Sequence, residues 1–327
     1  MSASLVQPSA SEIDLSWDEG AAKLRAAIEW VEKLGVDLRN TRFGRYLGEI
    51  ERYASLIIAQ PGPVSNGALL FSAVSDGQSL IAAHAQLAGR YDQFAATRVA
   101  GVARGTVSRS METPDNSDAR NICFELSTAA WLVSCGLALN AGDIADVAGD
   151  ISEYYLLVQC KRVRSRSQVE KRGKEAVRQL RERLDNPIRP NMFGVVAFDI
   201  TPMINPKFVL ARGPTMSMQD LFNFSLPQAE KFSSDFSRRW REWKHPLIPV
   251  VLTRLEVLGA PNTANSRLVH YALQNVVTLY PRTRPHSGPF IRCLAEACSR
   301  GTSTLAGTEE TRTALRRPDP LSKSQSH

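Results

Sequence analysis

Cysteine and histidine are scarce, five of each in 327 residues. The cysteines, Cys123, Cys135, Cys160, Cys293 and Cys298, are odd in number, form no paired Cys-x-x-Cys set and have no neighbouring histidines. That excludes a disulfide scaffold and a zinc ribbon, and leaves reduced, partly buried thiols as the expectation. Long apolar runs are missing too: no stretch approaches the ~20 residues that a membrane span needs. No basic segment precedes an apolar run near the N-terminus, where the first basic residue is Lys23, so no secretory leader is expected. A cytoplasmic protein without membrane partners follows as the expectation. What is present is a core-forming composition, 43% hydrophobic and 22% charged, long enough for one large domain or two ordinary ones.

The net charge of +7 is not spread along the chain. Residues 161–189 hold 11 Lys or Arg against 4 Asp or Glu, which equals the excess of the whole molecule. A local positive field of this kind favours a polyanion bound at one face.

In chain order, residues 1–15 are small and polar and predict a disordered arm. Ser16 to Glu19 fits a capping box, and Leu24, Ile28, Val31 and Leu34 mark a helix that Gly35 ends. Phe43, Leu47, Ile50, Ala54 and Ile57 repeat the spacing up to Pro61, and further helices fit residues 68–103. Residues 16–110 thus predict an all-helical module without a catalytic grouping, and the polar segment Arg109 to Asp118 predicts the boundary to a second domain. The second domain, 116–281, alternates helix and strand patterns. Phe193 to Ile200 and Pro246 to Val257 read as strands, and Leu226 to Lys244 as a helix whose Trp240 and Trp243 anchor it on a sheet in preference to stacking on bases. From Arg282 the chain turns rich in Arg, Pro, Ser, Thr and Gly, which predicts a largely disordered tail over 282–327.

The chemistry concentrates between Arg120 and Leu184. Tyr154 to Val158 is a continuous apolar run ending in Gln159-Cys160-Lys161 and reads as a buried strand. Alternation places Gln159 and Lys161 on one face and Cys160 on the other. Ile144 to Ala148 reads as a preceding strand, with Gly149 to Glu153 as the hairpin turn, bringing Asp146 beside Gln159 and Lys161. Asn121 to Cys135 has helical spacing, and Glu125 falls on its inward face, where a carboxylate needs a cation or donors. Beyond Lys161, Ser167 to Glu170 fits a capping box of a helix striped by Val169, Gly173, Ala176, Leu180 and Leu184, with Lys171, Lys174 and Arg178 on its other faces.

The order of a helix with Glu125, a strand with Asp146, a hairpin, a strand ending Gln159-Cys160-Lys161 and a basic helix resembles the PD-(D/E)XK nuclease superfamily. Ala145 replaces the proline before the first acid, and Gln159 replaces the usual Glu or Asp. The Gln-x-Lys form is similar to that of type IV restriction endonucleases of the Mrr kind. The resemblance implies a restriction-endonuclease-like α/β core and a nuclease acting on nucleic acid, DNA above RNA, in restriction or phage defence, with a homodimer as one possible assembly. It implies Glu125, Asp146, Gln159 and Lys161 as catalytic residues. Mg²⁺ or Mn²⁺ would be held by Glu125, Asp146, the Gln159 amide oxygen and the Cys160 carbonyl. Asp143 ranks below Asp146 as the acidic ligand, because three residues of separation put the two on opposite strand faces and Asp143 lies closer to a loop. Arg162, Arg164, Arg166, Lys171, Lys174 and Arg178 are the expected nucleic-acid contacts. Two other readings stay open: a binding protein that has lost catalysis, and a structural protein in which Glu125 and Lys161 form a buried ion pair.

Overall fold

The computed structural model describes residues 4–5, 9–59, 67–113, 116–142, 145–208, 211–213, 218–243, 245–261, 268–279 and 287–305. Four helices open the chain: α1 (Trp17–Lys33), α2 (Arg42–Ala59), α3 (Gly67–Leu87) and α4 (Asp92–Ala103). They follow from the apolar spacing, with Leu24, Ile28 and Val31 of α1 fully buried. After a short 3₁₀ turn at Arg109–Met111 comes the unit α5 (Asp118–Ser134), β3 (Ala138–Leu139), β4 (Val147–Ile151), β5 (Tyr154–Arg162), α6 (Arg166–Leu184) and β6 (Met192–Asp199). Then follow α7 (Thr201–Ile204), β7 (Ala211–Gly213), α8 (Met218–Trp243), β8 (Val250–Pro261), β9 (Leu268–Leu279) and α9 (Ser287–Leu305). Two N-terminal strands, β1 (Ser4–Leu5) and β2 (Ser9–Ser16), complete the set.

All the described strands join one mixed sheet in the order β1-β9-β8-β6-β5-β4-β3, with β2 also on β9 and β7 on β8. β3, β4 and β5 form an antiparallel meander, while β5, β6 and β8 run parallel. Parallel neighbours need crossovers, and α6 and α8 supply them. The central position of β5 explains its composition: Tyr154 to Cys160 are all buried.

Alternation along β5 sorts its side chains between two layers. Tyr154, Leu156, Val158 and Cys160 pack with residues of α1–α5 and α9, whereas Tyr155 and Leu157 pack with α6 and α8. The first of these cores is continuous from Leu24, Phe43, Phe71 and Phe94 to Leu156 and Leu252. The N-terminal helices therefore form one layer of the α/β architecture.

Several expectations are corrected here. The segment Arg109 to Asp118 is no polar hinge: Arg109 is buried and joins Asp76 of α3 to Glu256 of β8. The arm expected over 1–15 contains β2, whose residues pair with 268–275 of β9. The tail expected over 282–327 contains α9, with Phe290, Ile291, Leu294, Ala297 and Cys298 in the core. Gly149 and Asp150 lie in β4, and the hairpin turn is Ser152-Glu153, with Ser152 at a φ of 53°. The α6 cap is Ser165, whose Oγ accepts from the Gln168 N–H, two residues before the predicted one. Gly149 is needed inside its strand because a Cβ there would meet the Ala138 carbonyl oxygen at 2.2 Å.

Candidate functional site

The antiparallel ladder of β4 and β5 ends at the pair Val147–Val158. One residue further, the Asp146 side chain takes over: its Oδ2 accepts the Cys160 N–H at 2.7 Å. In a strand the N–H and C=O of one residue point to the same neighbour, so the Cys160 carbonyl also faces this edge. Asp146 thus stands just ahead of β4, not within a strand as its apolar neighbours suggested. Asp143 lies outside the described residues.

Glu125 comes to the same edge from α5. With Asp146, Arg98 and Ile122 it lines a cleft of about 400 Å³. Burial, and then the neighbouring Asp146 charge, raise the Glu125 pKa to about 7, against the opposing pull of Arg98 and Lys161. Asp146 is also raised from the usual carboxylate range by burial, which outweighs the Cys160 N–H, Lys161, Arg98 and Arg183. Two half-buried carboxylates in each other's field make a place where additional positive charge is stabilised.

Lys161 follows Cys160 at the end of β5 and acts electrostatically on both acids. Its Nζ lies 3.6 Å from Glu175 Oε1 of α6. The structure therefore brings Glu125, Asp146, the Cys160 backbone and Lys161 together. Gln159 is 3% exposed, and strand alternation puts it on one face with Tyr155, Leu157 and Lys161. A pair of carboxylates and a carbonyl suits a hard divalent cation whose remaining ligands are waters or substrate oxygens.

The expected nucleic-acid contacts divide. Arg162 is a correction: its side chain is 4% exposed and is held by Glu112 at 2.7 Å and Asp199 at 2.8 Å. Arg164 is likewise drawn inward, its Nη2 lying 2.7 Å from Glu112. These carboxylates come from distant parts of the chain and take up charge that looked free in the sequence. Arg166, Lys171, Lys174 and Arg178 are exposed on α6. Lys174 pairs with Glu170 and Arg178 with Glu182 along the helix, pairs that are weak in water. The side chains of Trp240 and Trp243 lie outside the described residues.

Two groupings had escaped the sequence reading. Arg98 of α4 touches the acid pair, although α4 belongs to the part of the chain read as having no catalytic grouping. Beneath the site lies a buried ionic network. Asp76 of α3 accepts from Arg109 Nη2 at 2.7 Å and Nε at 3.0 Å, Arg120 Nε at 3.0 Å and Tyr46 Oη at 3.0 Å. Glu256 binds Arg109 and Arg254, and Glu112 and Asp199 bind Arg162. The available signal was a lone acid, Asp76, inside an otherwise apolar helix.

A larger cleft of about 700 Å³ lies between α6, α7 and α8. Its floor is Val169, Met203, Phe232 and Phe236, and of the candidate residues it meets only Arg166, so size does not locate the acid pair. Among the described residues no helix is long and apolar enough to cross a membrane. No family model, curated protein or solved structure matches this chain, and its functional reading rests on the geometry above.

Proposed function

We propose that the chain is a metal-dependent phosphodiesterase that cleaves nucleic acid, DNA in the first place. The observation that carries this reading is the meeting of Glu125, Asp146 and Lys161 at one end of β5, with burial and the Asp146 charge raising the Glu125 pKa and burial raising that of Asp146. The order α5-β3-β4-β5-α6-β6 around them supports it, being the sequence of elements that the resemblance to PD-(D/E)XK nucleases implies.

Glu125, Asp146 and the Cys160 carbonyl would hold the divalent ion, Mg²⁺ or Mn²⁺. When bound, the ion supplies an activated water and neutralises phosphate charge. Lys161 orients that water and stabilises the charge that grows on the phosphate oxygens. Asp146 is fixed for its role by the Cys160 N–H, which leaves Oδ1 for the ion. The exposed cations of α6 attract the polyanion, and Glu175 anchors Lys161 beneath them.

Incubating the purified protein with single- and double-stranded DNA and RNA, with Mg²⁺, Mn²⁺ or EDTA, tests the reading. Cleavage is expected on DNA with either metal and not with EDTA. Absence of cleavage on all four substrates removes the enzyme assignment. One observation favours a second reading, binding without cleavage: the residue two before Lys161 is the neutral Gln159, so the ligand set is short by one carboxylate. Retention of DNA in a gel without any product distinguishes it.

A further inference from the structure

Arg98 reaches the acid pair from α4, outside the α5-β3-β4-β5-α6-β6 unit. Its guanidinium lies over the Phe94 ring, 3.9 Å from the centroid. Nη2 donates to the Asp146 carbonyl oxygen at 2.9 Å, and Nε stands 3.7 Å from Glu125 Oε2. That last distance is a charge contact and not a hydrogen bond, and Nε is buried with no hydrogen-bond partner. Leaving a buried guanidinium N–H unpaired costs free energy. Charge, more than hydrogen bonding, therefore explains why the group sits against Glu125.

Helices α4 and α5 pack together beside this contact. A Cβ on Gly101 would meet Ile122 Cδ1 at 2.3 Å, so the glycine leaves room for the end of that side chain between α4 and α5. Arg98 precedes Gly101 by one turn, and Glu125 follows Ile122 by one turn. The contact of Gly101 with Ile122 thus lies one turn from that of Arg98 with Glu125.

We propose that Arg98 is the resident counter-cation of the Glu125–Asp146 pair and competes with a divalent metal ion for it. The inference rests on the metal-dependent reading above and adds a group from the N-terminal helices to that site. Without metal, the guanidinium offsets the charge of the acid pair through its contacts with Glu125 and the Asp146 carbonyl oxygen. A metal ion entering the cleft must share or displace that contact, so the site's metal affinity is set below what its carboxylates alone would give.

Calorimetric titration of Mn²⁺ into the wild-type protein and the variants R98M, R98Q and R98K tests this, with melting curves as a check on folding. R98M keeps an unbranched apolar stem beside Phe94; R98Q keeps an N–H donor and serves if R98M does not fold. Both are expected to bind Mn²⁺ at least about tenfold more tightly than wild type, since a nearby unit charge is removed from a half-buried site. R98K, which keeps the charge, is expected to stay near wild type. Binding by R98M or R98Q where wild type shows none also supports the proposal. Equal or weaker binding in the neutral variants overturns it and leaves the nuclease reading intact, as does R98K binding as tightly as R98M. If no form binds Mn²⁺, the proposal and the metal-dependent reading fall together.

Discussion

Replacing Asp76 by Asn perturbs the chain where its helices meet its sheet. The side chain is completely buried and accepts from Arg109, Arg120 and Tyr46 at 2.7 to 3.0 Å, with Arg42 Nε at 3.5 Å. Asn keeps the shape but removes the charge, and its amide N–H group points donors at donors. The surrounding network holds Arg42, Arg109, Arg120, Arg162 and Arg254 against Asp76, Glu112, Asp199 and Glu256, all with side chains at most 5% exposed. It already carries one more cation than anions, and the substitution doubles that excess. Breaking one partner out of a buried ionic group costs about 3–5 kcal/mol, a large part of the roughly 5–15 kcal/mol that holds a domain together. A fall in Tm on the order of 10 °C corresponds to it. Urea unfolding of D76N beside wild type at pH 7 measures the loss. A difference below about 1 kcal/mol would refute the reasoning and mean that solvent or rearranged donors compensate for the charge. The same acids fix the direction of pH dependence. Burial pushes Asp76 up, but Arg120, Arg109 and Arg42 outweigh it and hold the carboxyl well below its ordinary range; Glu112 and Asp199 are lowered as well. Their stabilisation is therefore complete above the ordinary carboxylate pKa of about 4 and is lost as pH falls below it.

Glu125 works in the opposite sense. With its pKa raised to about 7, the folded chain binds the proton more tightly than the unfolded one, so in EDTA wild-type stability falls as pH rises from about 4.5 to 7. E125Q should then be more stable than wild type by about 1–3 kcal/mol at pH 8 and equal to it near pH 4; melting curves at both pH values check this, and no gain at pH 8 would mean the acid is already neutralised. K161A should reduce DNA cleavage at least about a hundredfold with an unshifted melting curve, and wild-type cleavage would remove Lys161 from the chemistry. Between the neighbouring acids, D146N should lose metal-dependent cleavage and D143N largely keep it in a plasmid assay, the reverse ranking meaning that Asp143 is the ligand. Reversing Lys171, Lys174 and Arg178 to Glu should weaken DNA binding for all sequences and flatten the log–log salt dependence by roughly 0.9 per lost phosphate contact; an unchanged slope in a binding titration would make α6 a solvated face.

Local patterns carried much of the architecture. The apolar run Tyr154 to Val158 could only be an interior strand, and the spacing of Leu24, Ile28 and Val31 could only be one helix face. Those same rules placed Glu125 on the inward side of its helix and Lys161 at the end of β5. The α9 core residues were legible as well: Phe290, Ile291, Leu294, Ala297 and Cys298 recur at helical spacing, and the Arg- and Pro-rich segment before them obscured it. The strand β2 was not legible. Ile13 and Leu15 alternate with polar residues over too short a distance, and what makes them a strand is β9, about 260 residues away.

By itself, then, the sequence determined most of the helices and the buried strand β5, because backbone hydrogen bonding and side-chain period act over a few residues. It also placed one acid on the inward face of a helix, another at a strand and a lysine at the end of the next. Tertiary structure alone decided which charges are free. Arg162 and Arg164 look like part of a basic surface until Glu112 comes from 50 residues upstream to bind them. Arg109 looks like a linker residue until Asp76 and Glu256 bury it. Arg98 looks like a surface cation until Glu125 and the Asp146 carbonyl oxygen meet it. The physical reason is the reach of the two effects: conformational preference is set by neighbours along the chain, whereas the state of a charge is set by whatever lies within a few ångströms in space.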